Sequence, residues 1–363
     1  MGKSVAKKRQ LSVSKNIKIL LVGHTPFQLL EGDFWLPIHA GREIAEEHHK
    51  DGFTNTKDIE WLKKYTVGDN SGDNISTKNR YYSECSTLYW AWKNYDKINA
   101  PDYIGLMHYR RHFVFNENYY NAHPKEKENE TIAYIDEEII NDKYLENIGL
   151  NDKNILNACE KYDLIISKDA DFKKHIRMTI REDYIKRIPD VDVKDFDLMV
   201  NKIDELHPEY SEITHEFING YKKSLYQMFI MKKELFFEYC QFLFDILFAV
   251  EKESDFSEYT TSGKRTLGYL AENLLSIFVL KKISEGVLTL KLGVTRVECA
   301  MDKTSQQEFL KKGYPKYSKY LKHKFLAMFS TKKTKETHKK IYREIRNNRK
   351  LYKIIEKHNK EIS

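Results

Sequence analysis

Two polar segments contain the side chains best suited to chemistry. In the first, residues 72–84 with the sequence GDNISTKNRYYSE, seven hydrogen-bonding side chains fall within twelve positions: Asp73, Asn74, Ser76, Lys78, Asn79, Tyr82 and Glu84. A sugar offers several hydroxyls that need paired donors and acceptors, and a uracil ring can be read by amides and stacked on a tyrosine. The segment therefore predicts a nucleotide-sugar site. The competing interpretation is a set of Asx turns, in which Asp and Asn only cap the backbone.

The second segment, GLMHYRRHF at residues 105–113, carries a cationic cluster directly after an apolar run: His108, Tyr109, Arg110 and Arg111. Adjacent guanidinium groups beside an imidazole can neutralise a diphosphate through charge-assisted hydrogen bonds, and in that role they would replace a metal ion. A surface arginine pair that forms salt bridges is the alternative. Because consecutive strand residues face opposite ways, only part of the cluster can contact one ligand.

A third candidate is Glu272, in the sequence RTLGYLAEN at residues 265–273. Transfer of a sugar with inversion needs a carboxylate that takes the proton from the acceptor hydroxyl as it attacks the anomeric carbon. Glu272 is the favoured catalytic base, with Asp73 and Glu84 as less favoured carboxylates. Arg265 is assigned to the donor site, where it would pair with Glu272 or with phosphate. The alternative is an ordinary exposed glutamate on a helix.

An acidic D-x-D sequence can hold Mn²⁺ or Mg²⁺ against a diphosphate, because these hard ions take carboxylate oxygens. The sequence has one such tripeptide after a predicted strand, Asp169-Ala170-Asp171. Helix capping or a solvated loop explains it equally well. A metal ion is therefore a weak alternative, and no cofactor is expected beyond a UDP-sugar that serves as the donor substrate.

Apolar runs predict the strands that would position these groups, at residues 17–22, 103–109, 162–168 and 227–231. His24 follows the first strand, in a loop where α/β folds bind nucleotides, and is assigned to the donor site. Helices are predicted at 82–95, after 231 and at 264–282. Residues 116–150 read as a polar excursion from the core, and residues 172–225 as a mainly helical insertion that faces the acceptor. Strands alternating with helices predict an α/β fold with one Rossmann-related sheet.

Charge divides the chain unevenly. Residues 311–363 carry a net charge of +14 against +7 for the whole chain, so residues 1–310 carry −7. We predict a basic leader at 1–15, a catalytic domain at 16–304 and a basic, largely helical tail at 305–363. The tail interleaves Tyr and Phe with Lys, as peripheral membrane proteins do at a headgroup interface. A solvated tail is the alternative, and nucleic acid is not an expected partner.

Composition bounds the cellular context and excludes several enzyme classes. The four cysteines are far apart, which favours a reducing cytoplasm. No run approaches the roughly 18 apolar residues of a membrane span. We therefore expect a cytoplasmic protein that contacts the cytoplasmic face of the inner membrane at most peripherally. The motifs of P-loop enzymes, α/β-hydrolases and zincins are not found in the sequence.

The two polar segments together resemble a bacterial family labelled domain of unknown function 4422. The resemblance rests on GDNIS-T-KN-RYYSE-CSTLYWAWKN followed by DYIGLMHYRRHF, and it continues through PIHAG at 37–41 and RTLGYLAENLL. It spans roughly residues 16 to 290 and leaves out the tail and the insertion near 116–150. The matching motif positions are Asp73, Asn74, Lys78, Asn79, Tyr82 and Glu84 in the first segment and His108 to Arg111 in the second. The D-x-D departs from the family's pattern.

Members of that family are found among capsule and exopolysaccharide biosynthesis proteins and look like glycosyltransferases. The resemblance implies a GT-A-like fold and transfer of a hexose, with galactose favoured, from a UDP-sugar. The implied acceptor is a growing capsule, exopolysaccharide or lipopolysaccharide glycan, free or lipid-linked. The alternative is a non-catalytic glycan- or nucleotide-binding component of a polysaccharide assembly complex.

Overall fold

A mixed sheet with helices on both faces forms the body of the protein. The computed structural model describes residues 15–47, 55–123, 134–175, 177–188, 191–329 and 332–362, so the predicted leader lies outside the described residues except for Lys15. The strands are β1 Ile17–Gly23, β2 Trp35–His39, β3 Val67–Gly68, β4 Tyr103–His108, β5 Arg111–Val114, β6 Ile135–Ile139, β7 Leu164–Ser167, β8 Asp169–Asp171, β9 Lys222–Ser224, β10 Phe229–Lys232 and β11 Thr289–Cys299.

The helices fall into three groups along the chain. The first group is α1 Arg42–Glu46, α2 Thr56–Tyr65, α3 Asn79–Tyr82, α4 Cys85–Lys93, α5 Glu117–Ala122, α6 Asp142–Ile148 and α7 Asp152–Lys161. The second is α8 Phe172–His175, α9 Ile180–Arg187, α10 Val193–Leu206, α11 Ser211–Asn219, α12 Lys233–Glu253 and α13 Thr266–Ser284. The third is α14 Lys303–Lys311, α15 Tyr317–Phe329 and α16 Lys332–Ile362.

The main sheet has nine strands and mixed direction. β1 pairs in parallel with β2 and β4, and β3 extends the sheet beyond β2. On the other side of β4, β10 runs antiparallel and leads to β7 and β11. The second half of β11 pairs with β5 and β6, while β8 and β9 form a separate two-stranded sheet. The predicted α/β fold class, one sheet flanked by helices, is confirmed.

Both faces of β1 are buried, which explains its nearly unbroken apolar sequence. Ile17, Ile19 and Leu21 pack on the face covered by α2, α6 and α7. Leu20 and Val22 pack on the opposite face, beneath α4 and α10 to α13. This alternation is the period of a strand. One hydrophobic layer therefore packs on each face of the sheet.

Helix α13 carries a predicted catalytic residue and is buried along most of its length. Its apolar side chains surround the axis, as expected for a helix enclosed by the core. The first turns of α13 approach α3 closely at Gly268, where an added Cβ would lie 2.8 Å from Oγ of Ser83. A glycine at this position therefore lets α13 bring Glu272 to the sheet edge.

The structure corrects three expectations about local structure. The helix predicted at 82–95 is the shorter α4, Cys85–Lys93, because Ser83, with a φ of 51°, separates it from α3, which ends at Tyr82. Residues 116–150 are not an excursion where they are described, because β6 pairs with β11 and Ile148 of α6 is fully buried. Strand β11 was not predicted. Its N-terminal half is only partly buried and contains no apolar run that would have indicated a strand.

The tail is helical, as predicted, and its last helix returns to the body. Ile354 and Ile355 of α16 are buried against Ile139 of β6 and Cys299 of β11. The tail therefore packs on the sheet, although its predicted boundary at residue 305 stays a prediction. Among the helices of the described ranges, none is both long and apolar enough to cross a membrane.

Candidate active site at the carboxyl edge of the sheet

The loops that follow β1 and β4 lie side by side, because these strands are parallel neighbours with Val22 opposite His108. A tight turn at Tyr109 and Arg110 links β4 to β5. The backbone N–H of Tyr109 donates to the carbonyl of Val22 at 2.9 Å, and the carbonyl of Arg110 accepts from Val297 at 2.8 Å. The turn is thus fixed to strands on both sides, at the edge where α/β folds bind ligands.

His108 and Arg111 both contact Tyr226, in the loop between β9 and β10. Nε2 of His108 donates to the carbonyl of Tyr226 at 2.6 Å, and the guanidinium of Arg111 lies 4.6 Å from the centre of the Tyr226 ring. Tyr226 and Gln227 have φ values of 75° and 48°. Such left-handed conformations cost about 1–3 kcal/mol each in residues other than glycine, and they concentrate at functional sites. No sequence signal marks Tyr226, since this turn contains neither Gly nor Asn.

Two predicted carboxylates join the same cluster. Burial raises the pKa of Glu84, and the neighbouring charges of Arg265 and Arg111 act in the opposite direction. Glu272 lies near Arg111, and its Oε2 is 3.7 Å from Nζ of Lys223. The Lys223 side chain is 5% exposed, whereas Glu272 remains 25% exposed and can reach a ligand. The structure therefore brings two carboxylates and three cations to one place.

Arg111 combines burial with an unused donor. Burial lowers the pKa of Arg111, as does Arg110, while Glu272 and Glu84 raise it. Its Nε is buried and has no hydrogen-bond partner within the described residues. Buried polar groups are seldom left unpaired, so an unused guanidinium donor points to a ligand that accepts a hydrogen bond. Arg265 is held by a bond from its Nε to Oγ of Ser83 at 3.1 Å.

Three further predicted residues form an outer layer beside this cluster. The His24 ring meets the Tyr109 ring edge-on, with 5.7 Å between centroids. The guanidinium of Arg110 lies 5.7 Å from the centre of the same ring. His24 and Arg110 are exposed, so they are placed to meet a ligand that enters from solvent.

The GDNIS loop is organised by Asp69, which sequence reasoning missed. This fully buried carboxylate accepts from the backbone N–H groups of Gly41 at 2.9 Å and Arg42 at 3.0 Å. It also accepts from the hydroxyls of Ser76 and Ser86. Burial raises the pKa of Asp69, and these four hydrogen bonds oppose that effect. Asp69 belongs to the triplet Gly68-Asp69-Asn70, and it thus anchors the loop that begins at a second Gly-Asp-Asn triplet, residues 72–74.

Two amides predicted to bind the donor form local contacts instead. Oδ1 of Asn74 accepts from the backbone N–H of Ser76 at 3.1 Å, which closes an Asx turn. Nδ2 of Asn79 donates to the carbonyl of Ser83 at 2.7 Å. These bonds fit the turn-capping interpretation. A role of Asn74 and Asn79 in donor binding stays a prediction.

Lys78 and Tyr82 contact helix α12 rather than the cationic cluster. Nζ of Lys78 and the hydroxyl of Tyr82 both donate to Oε2 of Glu251, at 2.7 and 2.8 Å. Asp73 is exposed and lies near Tyr89, where burial and the Asp73 charge raise the pKa of the tyrosine. These contacts attach the loop to α12. The predicted ligand roles of all three residues stay predictions.

The D-x-D side chains are engaged with protein groups on the small β8–β9 sheet. Asp169 accepts from Nζ of Lys291 at 2.6 Å and from Oγ of Ser224 at 3.0 Å. Asp171 accepts from the backbone N–H of Lys173 at 3.0 Å and thereby caps the start of α8. Throughout the described ranges, no group of three or more His, Cys, Asp or Glu residues is arranged to hold a metal ion.

Two histidines at this edge, His112 fully buried and His108 partly buried, predict acid-sensitive stability. Burial, reinforced by Arg111, lowers the pKa of His108 to about 4, and burial, reinforced by His108, lowers that of His112 to about 3, both from 6.5. Below about pH 6.5 the unfolded chain binds protons that the folded protein does not, so the free energy of unfolding should fall until the folded pKa values are reached. Urea unfolding from about pH 7 to about pH 4 measures this.

His112→Gln supplies the comparison for that measurement, since it removes the fully buried one of the two imidazoles. The fall in unfolding free energy with acid should become shallower in this variant. His215→Gln, at an exposed position on α11, should keep the wild-type slope. Equal slopes in all three proteins would contradict the assignment of the acid sensitivity to these histidines.

Comparison with known proteins places the chain in a family. A family model described as Domain of unknown function (DUF4422) matches residues 18–283. The chain belongs to the DUF4422 family. The matched region of this DUF4422 protein contains all the cluster residues from Glu84 to Glu272 and ends before β11 and the tail. No curated protein sequence matches the chain.

One solved structure resembles this DUF4422 protein. It is the apo structure of WbbM, described as a bifunctional glycosyltransferase, with 28% sequence identity and a TM-score of 0.66. The match covers 78% of this chain and 45% of that chain. The DUF4422 protein therefore shares the fold of a glycosyltransferase and spans less than half the length of WbbM.

Proposed function

We propose that this protein is a glycosyltransferase that moves a hexose, with galactose favoured, from a UDP-sugar to a growing capsule, exopolysaccharide or lipopolysaccharide glycan. The observation that carries the proposal is the convergence of Arg111, Arg265, Glu84 and Glu272 at the carboxyl edge of β4. The likeness to WbbM supports the reaction class. Because this chain spans only part of WbbM, the reaction, donor and acceptor are all part of the proposal.

In this proposal the donor diphosphate lies against Arg111 and Arg265. Guanidinium groups bind phosphate oxygens through paired N–H donors, and Arg111 has an unused buried donor. The ring of Tyr226 supports the Arg111 guanidinium from one side. The nucleoside extends toward His24 and the loop after β1, where Arg110 adds a third positive charge at the entrance.

The sugar transfer then needs one base and one group that stabilises the leaving UDP. The acceptor oxygen attacks the anomeric carbon while the bond from that carbon to the diphosphate oxygen breaks, and Glu272 takes the acceptor proton. Lys223 holds the Glu272 carboxylate from its buried side. Arg111 and Arg265 compensate the charge that develops on UDP. Glu84 is the second candidate for the base and Asp73, which is exposed beside Tyr89, the third.

The alternative is a non-catalytic nucleotide- or glycan-binding component that uses the same cluster. The transferase and a nucleotide-binding component both bind the donor, and only the transferase breaks the bond between the sugar and the diphosphate. We therefore measure binding by calorimetry and UDP release by a coupled assay, with the full chain and a panel of nucleotide sugars.

Selective binding of one UDP-sugar with slow hydrolysis is the result expected of a transferase. Activity that persists in EDTA, and that Mn²⁺ does not increase, supports the arginines as the groups that neutralise the diphosphate. Binding without release of UDP, even with glycan acceptors, favours the non-catalytic alternative. If no nucleotide sugar binds with or without Mn²⁺, the transferase proposal is wrong, and the glycan-binding form of the alternative is favoured.

A further inference from the structure

Helix α15 presents a row of apolar side chains to solvent. Tyr317, Leu321, Phe325 and Met328 are 54%, 46%, 62% and 68% exposed. Their spacing of four, four and three residues places them on one face of the helix. None of the four belongs to a hydrophobic core cluster of the described residues. We call this row the α15 stripe. Contiguous exposed apolar surface on a folded protein marks a contact site.

Contacts of neighbouring residues on α15, and of Tyr317 at the end of the stripe with Arg349 of α16 at 5.0 Å, set the direction in which the stripe faces. Ala327 is 5% exposed, and the Tyr320 ring meets the Tyr342 ring of α16 with 5.9 Å between centroids. Nδ1 of His323 lies 3.1 Å from Nδ1 of His338, also on α16. Since α16 is itself anchored on β6 and β11, the direction of the α15 stripe is fixed relative to the body of the protein.

Positive charge borders the stripe. Lys322 and Lys324 are exposed on either side of the stripe, Lys319 is exposed on the far side of α15, and the sequence of this helix contains neither Asp nor Glu. The surrounding region, residues 311–363, has a net charge of +14. A helix with an apolar face between lysines matches a layer whose surface is anionic and whose interior is apolar.

We propose that the α15 stripe docks the protein on an anionic lipid bilayer, with α15 lying in the plane of the headgroups. The four apolar side chains enter the boundary between headgroups and acyl chains, and the lysines lie next to lipid phosphates. A nucleic acid would use the charge but not the apolar row. A second copy would cover the row but bring lysines against lysines. The bilayer alone satisfies both features.

This inference goes beyond the proposed transfer reaction and does not depend on it, because docking requires no donor. We mix the full chain with sedimentable vesicles of phosphatidylcholine alone or with phosphatidylglycerol, and measure the bound fraction. The wild-type protein should bind the anionic vesicles and not the neutral ones. Leu321→Ser, Phe325→Ser and Met328→Ser combined should lower the affinity by about tenfold or more, since three buried apolar side chains are lost.

A second set of variants tests the charge. Replacing Lys322 and Lys324 by Gln should lower affinity for anionic vesicles by roughly fivefold per lysine, and added salt should weaken vesicle binding by the wild-type protein. The matched control is Leu206→Ser with Leu288→Ser, at exposed apolar positions away from α15. The control should bind like the wild type. Circular dichroism melting of each variant verifies that the fold persists.

Vesicle binding that survives the serine substitutions would overturn the proposal. So would a wild-type protein that ignores anionic vesicles. If the wild-type protein is instead a dimer in solution and the serine variant is a monomer, the stripe is an interface between copies. If duplex DNA or RNA competes fully with the vesicles and binds the serine variant normally, the basic tail binds nucleic acid. UDP-sugar hydrolysis in vesicle-free buffer should be equal in the wild-type and serine proteins, which separates this result from the proposed function.

Discussion

Replacing Glu272 by glutamine is expected to slow sugar transfer by about 10²- to 10⁴-fold, the contribution typical of a general base. Glutamine keeps the size of the side chain but cannot accept the proton of the acceptor hydroxyl. Donor affinity should change by less than about threefold, because the diphosphate contacts come from Arg111 and Arg265. Single-turnover transfer at saturating donor, together with calorimetric titration of the donor, separates the two effects.

The neighbouring carboxylates provide the comparisons. Glu160→Gln, an exposed position on α7, makes the same chemical change away from the site and should leave transfer unchanged. Glu84→Gln tests the second candidate, which lies within reach of the same arginines. Undiminished transfer by Glu272→Gln would exclude this residue as the base. A large loss in Glu84→Gln would then assign that role to Glu84.

The sequence predicted the strands with nearly unbroken apolar runs, such as β1 and β10, better than the strands of mixed burial, such as β11. β1 is buried on both faces, so its apolar run identifies it without any other information. β11 is long and partly exposed, and it pairs with three strands that come from distant parts of the chain. Its existence depends on those partners rather than on its own composition. Pairing of this kind cannot be read from local periodicity.

The candidate site was predictable in its charges but not in its assembly. Arg111 and Glu272 were identified by residue type and by their position next to predicted elements. Their meeting depends on Gly268, which admits α13 to the site, and on the left-handed loop at Tyr226. The density of polar residues around Asn74 and Lys78 had two explanations from sequence, and the structure shows both residues bonded within the protein, which leaves their role in donor binding a prediction. Spacing alone could not distinguish a loop that binds a ligand from a loop whose polar side chains form hydrogen bonds within the protein.

Substituting Arg111 should have the largest effect on donor binding. In Arg111→Ala the affinity for a UDP-sugar is expected to fall by about 10- to 100-fold, the loss of one or two charge-assisted hydrogen bonds. Arg111→Lys should recover little of it, because an ammonium cannot supply the paired N–H donors or lie flat against Tyr226. Arg110→Ala should have a smaller effect, since Arg110 is exposed and its charge is screened by solvent.

Arg181→Ala is the matched control for these arginines, because Arg181 pairs with Asp197 on the surface, away from the site. Calorimetric titration of UDP alone and of the UDP-sugar shows which contact Arg111 makes. If Arg111 contacts the diphosphate, Arg111→Ala weakens both ligands equally. If it contacts the sugar, the substitution weakens only the UDP-sugar. Equal donor affinity in the wild-type and Arg111→Ala proteins, with unchanged urea unfolding, would move the diphosphate away from β5. We expect Arg111→Ala to lose donor affinity instead. At this edge of the described structure, Nε of Arg111 is the buried guanidinium donor without a partner, and the substitution removes it.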